Sequence, residues 1–158
     1  MKVLLISANT EQINMPTLPL GLACVAAATR KAGHEVAYLD LMAQEDAQEV
    51  IKGAMEERRP DVVGISVRNI DDQVMENTGF LLEQVKDVVA SCRSFSDAPI
   101  VLGGAGYSMY PESALDYLGA DMGIQGEGEV AFPILLDHIQ RDGDLSVTPG
   151  LYLPDRGL

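Results

Sequence analysis

The chain has 158 residues and a formal net charge of −13. That length supports one core and one domain. So acidic a composition argues against nucleic acid and anionic membranes, whose recognition needs clustered Lys and Arg. The two cysteines, Cys24 and Cys92, each fall on the apolar face of a predicted helix. They read as buried free thiols, which places the protein in a reducing cytosol.

Strands and helices alternate along the chain. Lys2–Ala8 is a continuous apolar run, as expected of a strand buried on both faces; it is too short for a signal peptide or membrane span. Thr17 is a candidate cap for a helix with Pro19 in its first turn and Leu18, Leu22, Val25 and Ala26 at helical spacing; Gly33 stops it. His34 follows at the helix end, where a cation favours the dipole, and reads as a surface or capping residue. Glu35–Leu41 is a second strand. Asp46–Arg59 is an amphipathic helix ended by Pro60. Asp61–Val67 is a third strand.

Asp71 or Asp72 is the expected cap of a long helix reaching about Cys92, with Phe80, Leu81, Val85, Val88 and Val89 as its apolar stripe. Ile100–Leu102 is a fourth strand, Pro111–Leu118 a short helix stopped by Gly119, and Met122–Gln125 a fifth strand. Glu129–Ile139 is the last helix. This order implies an α/β fold: a three-layer, doubly wound, parallel five-stranded sheet with right-handed crossovers and the flavodoxin-like (Rossmann-like) order 2-1-3-4-5. The domain is expected over residues 1–143. Residues 144–158, with two Pro and two Gly after Ser146, read as the start of a linker to a further domain. Leu151–Leu153 would begin a hairpin at Asp155–Gly157 that has no return strand.

Four loops should converge at the carboxyl edge of the sheet, where open α/β sheets bind their ligands: Asn9–Pro16, Val67–Asp72, Gly103–Pro111 and Gly126–Glu129. Two of them are glycine clusters, Gly103-Gly104-Ala105-Gly106 and Gly126-Glu127-Gly128-Glu129. Glycine clusters after consecutive strands mark a bulky group close to the backbone. The first loop has no glycine to cradle a phosphate as flavodoxins do. A receiver domain would need carboxylates where Asn9 and Ser66 or Val67 stand. Gly126–Ala131 matches a dinucleotide fingerprint but follows the fifth strand, and its two glutamates would repel a pyrophosphate. No Cys/His cluster has metal-binding spacing, and no residue reads as catalytic. Ser66 at the end of a central strand is open to either a strand role or a ligand contact. Arg68 beside it faces solvent or a ligand carboxylate.

The series Pro19-Leu20-Gly21-Leu22, Lys31 to Val36 (KAGHEV), Pro60 to Ser66 (PDVVGIS), Gly103 to Gly106 (GGAG), Pro111-Glu112, Gly119-Ala120-Asp121 and Gly126 to Glu129 (GEGE) resembles a known pattern. Over residues 1–143 it is similar to the N-terminal cobalamin-binding domain of class B radical SAM proteins. That group includes the anaerobic magnesium-protoporphyrin monomethyl ester cyclase and many methyltransferases. The resemblance implies a corrin ring over the carboxyl edge and a nucleotide tail threading toward the glycine loops. Implied cofactor contacts are Asn9, Thr10, Leu18, Pro19, Ser66, Val67, Arg68, Gly103, Gly104, Gly106, Gly126, Glu127 and Gly128. Among them Leu18 and Pro19 would touch the lower corrin face, and Ser66 would hydrogen-bond the tail.

Two departures matter. Cobalamin mutases and methionine synthase carry Asp-x-His-x-x-Gly after the first strand, with the His on cobalt. Here the nearest register offers Asn9, Glu11 and Asn14, so the lower ligand would be water, an unusual side chain or nothing. The Cys-x-x-x-Cys-x-x-Cys that holds a [4Fe–4S] cluster is absent as well. The resemblance therefore implies a partner radical SAM domain, C-terminal in the same polypeptide, that binds the cluster and S-adenosylmethionine. This chain alone would bind cobalamin and catalyse nothing. Two alternatives stand beside it: a nucleotide-binding half-domain of glycosyltransferase type that uses the same edge, and a degenerate domain that binds no ligand and only docks to a partner.

Overall fold

A computed structural model describes residues 1–10, 18–72, 76 and 79–154. Six strands form one sheet in the order β2-β1-β3-β4-β5-β6. They are β1 (Lys2–Ser7), β2 (Glu35–Asp40), β3 (Val62–Ser66), β4 (Ile100–Gly103), β5 (Met122–Ile124) and β6 (Leu151–Tyr152). The first five pair in parallel, so the doubly wound 2-1-3-4-5 order holds.

The sixth strand is an addition to the expected five. β6 pairs antiparallel with β5, Gly123 opposite Tyr152 and Ile124 opposite Leu151. Gly150, at φ +66°, turns the chain so that its carbonyl accepts from the Gln125 N–H at 2.8 Å. Two residues held by backbone pairing leave no periodic signal in a sequence. The hairpin expected at Asp155–Gly157 lies outside the described residues.

Side-chain alternation along the strands builds two cores. Leu4 and Ile6 of β1, with Val63 and Ile65 of β3, face one layer of helices: α2 (Ala47–Arg58), α3 (Leu82–Phe95) and α5 (Pro111–Leu118). Val3 and Leu5, with Val62 and Val101, face the other layer, α1 (Leu20–Lys31) and α6 (Gly128–Arg141). Helix ends follow the sequence signals in most places. Asp46 caps α2 by accepting from the Glu49 N–H at 3.1 Å. Pro111 opens α5, and Gly119 closes it in the left-handed conformation.

Three expectations change. Thr17 lies outside the described residues; Pro19 occupies the N-cap position of α1 without a side-chain bond. Neither Asp71 nor Asp72 caps α3. Asp71 pairs with Phe80 in an antiparallel bridge, the Asp72 N–H donates to Gly79 O at 3.1 Å, and the Leu81 N–H to Ile70 O at 2.9 Å. These cross-loop bonds consume the backbone groups an earlier helix would use, so α3 begins only at Leu82. His34 is buried rather than on the surface. Its Nδ1 stands 3.5 Å from the terminal amine of Met1, and its Nε2 stands 3.9 Å from Asp137 of α6. Among the described residues no helix is long and apolar enough to cross a membrane.

Candidate functional site

The sheet register places small residues side by side where β1, β3 and β4 end. Ser7, Ser66 and Gly103 are consecutive register partners. They share a face with Leu5, Gly64 and Val101, two residues back along each strand and the next row on that face. That face is the one α1 and α6 cover. The result is a groove of about 770 Å³ that opens at the carboxyl edge and runs down between the two helices. Its floor is these two rows; its walls carry Leu22, Cys24 and Val25 of α1 and Gly128 and Phe132 of α6.

The glycines divide into two kinds. A Cβ on Gly103 would stand 3.9 Å from its nearest neighbour, Ile124 O, and one on Gly21 or Gly126 would meet nothing within 4 Å. At these positions the missing side chain is groove space. Gly104, by contrast, sits at φ +99°, and its Cβ would stand 2.6 Å from Val67 O. A Cβ on Gly106 would stand 2.9 Å from Arg68 O. These two let the turn after β4 lie against the backbone after β3. Gly64 differs from both, since its missing Cβ would meet side chains only, Leu5 Cδ2 at 2.6 Å and the Phe132 ring at 3.3 Å. Gly128 brings α6 against α1, 3.0 Å from Val25 Cγ2 by the same measure.

Of the residues singled out in the sequence, Asn9, Leu18, Pro19, Ser66, Arg68, Gly103, Gly104, Gly126, Glu127 and Gly128 line the groove. Thr10, Val67 and Gly106 do not. The Thr10 hydroxyl donates to Gln84 Oε1 of α3. Val67 is fully buried, and its carbonyl accepts from the Gly106 N–H at 3.0 Å. Both residues support the rim from behind. Ser66 contributes a half-buried hydroxyl to the floor. Arg68 brings a cation to the groove, and Glu127 and Glu129 bring carboxylates.

Cys24 is exposed and lines the groove, not the core. The stripe reading failed there because Cys24 stands two residues from both Leu22 and Ala26, about 200° around α1 from the buried face those residues mark. Cys92 is buried as expected, and burial pushes its thiol pKa up to about 12. Sequence reasoning also missed Gly21, Gly64, Ser108 and Phe132. A glycine inside the strand run VVGIS is itself a signal of close approach, and Gly64 was legible on that ground. Among the described residues no group of three or more His, Cys, Asp or Glu is placed to hold a metal ion.

A groove of this volume is in the range that takes a sizeable organic ligand. Its inner end is apolar, and small residues and hydroxyls lie near its mouth. Residues 6–136 match the B12 binding domain family.

The chain belongs to the B12-binding domain family.

It is 31% identical over 122 residues to the tryptophan 2-C-methyltransferase of Streptomyces laurentii, covering 77% of this chain and 20% of that one. It is 32% identical over an alignment of 188 residues to the cytidylyl-2-hydroxyethylphosphonate methyltransferase of Streptomyces wedmorensis, covering 96% and 34%. The chain thus spans between a fifth and about a third of the length of these relatives. Among solved structures it is similar to the radical S-adenosylmethionine methyltransferase TsrM of Kitasatospora setae with cobalamin and a [4Fe–4S] cluster bound. There the TM-score is 0.91 and the identity 30%, over 99% of this chain and 28% of that one. Membership in a B12-binding family sets aside the glycosyltransferase alternative.

Proposed function

We propose that this B12-binding domain takes the nucleotide tail of cobalamin into the groove between α1 and α6, with the corrin over the carboxyl edge of the sheet. The observation that carries the reading is the register row Ser7–Ser66–Gly103, which leaves the floor without bulk where three strands end. In this reading Gly103 and Gly126 leave room for the tail, and the Ser66 hydroxyl hydrogen-bonds it. Asn9, Leu18 and Pro19 lie toward the lower corrin face, while Arg68 and Glu127 border the groove. Gly104, Gly106, Val67 and Thr10 hold the rim in shape. Residues 9–17 include no histidine, so no imidazole from this loop reaches the cobalt. Bound cobalamin supplies a metal centre able to carry a methyl group or an electron, and the protein supplies binding and orientation.

The methyltransferase activities of these relatives support a wider reading. In it the domain serves a cytosolic radical SAM enzyme of methyltransferase or oxidative cyclase type. A further domain of the same polypeptide, C-terminal to this one, holds the [4Fe–4S] cluster and S-adenosylmethionine. The Glu127 and Glu129 carboxylates favour a cobalamin tail over a nucleoside diphosphate, whose greater anionic charge they would repel.

The test is titration with hydroxocobalamin, followed by visible absorbance and equilibrium dialysis. Saturable binding with a shift of the corrin bands is expected. An unchanged spectrum with no retained corrin refutes the reading and leaves the domain that only docks to a partner.

A further inference from the structure

The two glycine loops at the groove mouth come from neighbouring strands and are joined by one side chain. Ser108 lies on α4 (Ala105–Met109), the short helix that begins within the first of these loops. Its hydroxyl donates to the Gly104 carbonyl at 2.9 Å and accepts from the Gly126 N–H at 3.1 Å. Its own carbonyl accepts from Gln125 Nε2 at 3.1 Å, and Gln125 Oε1 in turn accepts from the Tyr152 hydroxyl at 3.2 Å. Both glycines so joined have positive φ, +99° at Gly104 and +91° at Gly126.

The two ends of this link differ in what else holds them. Gly104 packs against Val67, and α4 is anchored beneath by Tyr107, fully buried over Gly123. A Cβ on Gly123 would overlap the Tyr107 ring. Gly126 has no packed neighbour, since nothing stands within 4 Å of its Cβ position. The residue before it is held, Gln125 N–H to Gly150 O at 2.8 Å and Gln125 Nε2 to the Ser108 carbonyl at 3.1 Å. Glycine is the backbone with the most freedom, and at Gly126 itself the bond from its N–H to the Ser108 hydroxyl fixes one conformation. A bond between two surface loops adds little to global stability but lowers the ordering cost of binding.

Resting on the cobalamin reading of the groove, we propose that Ser108 is a positioning residue whose hydroxyl ties the Gly104 turn to the Gly126 loop and so sets the width of the slot for the nucleotide tail. The corrin ring, lying above the edge, does not depend on that width. The tie therefore acts on ligands that have the tail and spares those that lack it.

The experiment compares cyanocobalamin with cyanocobinamide, the same corrin without the nucleotide tail, on the wild-type chain and on Ser108→Ala. The wild type is expected to prefer cobalamin. The variant should lose about tenfold in cobalamin affinity, the scale of a lost preorganising bond, with cobinamide affinity and thermal midpoint unchanged. Ser108→Thr, which keeps the hydroxyl, should restore the preference. A Ser108→Ala chain that keeps the full preference, or weakens toward both ligands alike, overturns the proposal and leaves the cobalamin reading standing. A wild type that binds neither ligand overturns that reading itself. Should Ser108→Ala not fold, amide exchange on the unliganded wild type decides: protection of the Gly126 N–H is expected, and exchange at the free-amide rate refutes the tie.

Discussion

Gly103 and Gly104 are adjacent in sequence and should fail in opposite ways. At Gly104 an alanine Cβ would sit 2.6 Å from Val67 O, at φ +99°. Backbone at φ +99° and ψ 171° is open essentially to glycine alone and costs an L-residue about 1–3 kcal/mol, and forcing the backbone of residue 67 aside costs about 1–3 kcal/mol more. Gly104→Ala should therefore lose about 2–6 kcal/mol. For a domain of this size, at roughly 2–4 °C per kcal/mol, that is a fall of about 4–24 °C in Tm. At Gly103 the same Cβ meets only Ile124 O, at an ordinary contact of 3.9 Å. A β-carbon inside a strand also relieves glycine's entropic cost of about 0.5–1 kcal/mol. Gly103→Val should melt within a few degrees of wild type. Its two methyls enter the groove, so cobalamin affinity should fall about tenfold or more, the scale of an overpacked site. Circular-dichroism melts and a cobalamin titration on both variants read the two effects separately. Equal melting points, or a Gly103→Val chain that binds like wild type, would refute the division of the glycines into groove space and backbone packing.

Thiol chemistry should separate the two cysteines. Cys24 is exposed in the groove, whereas burial holds the Cys92 pKa up at about 12. Iodoacetamide at neutral pH should modify Cys24 alone by mass spectrometry, and saturating cyanocobalamin should slow it; modification of Cys92 in the native chain would contradict its burial. Acid should destabilise the fold through His34, whose pKa is lowered by burial and by the Met1 amine, with Asp137 opposing. The unfolded chain binds that proton more readily, so this contribution is present above the free-histidine pKa of about 6.5 and is lost as pH falls through the lower folded value. Thermal midpoints between pH 7.5 and 5 should drop less steeply for His34→Gln than for wild type, and parallel curves would sink the assignment.

The alternation of apolar runs and amphipathic segments determined the layers by itself and favoured the order in which the first five strands pair. Parallel strands buried on both faces need helices with a single apolar stripe on each side, although that pattern serves more than one doubly wound order. The glycine clusters likewise marked the right edge. What the pattern left open is which glycine faces what. Gly103 and Gly104 read alike in a string, yet one borders empty space and the other a carbonyl, because a strand's side-chain direction reverses at each residue while a neighbouring turn closes over only one of them. Cys24 was misplaced for a different reason: about 200° around α1 from Leu22 and Ala26, it lies off the buried stripe. The alignment of Ser7, Ser66 and Gly103, far apart in the chain, exists only once the sheet sets its register. The same holds for the Ser108 link between two loops and the late start of α3. These are contacts between distant segments, and local propensity carries no information about them.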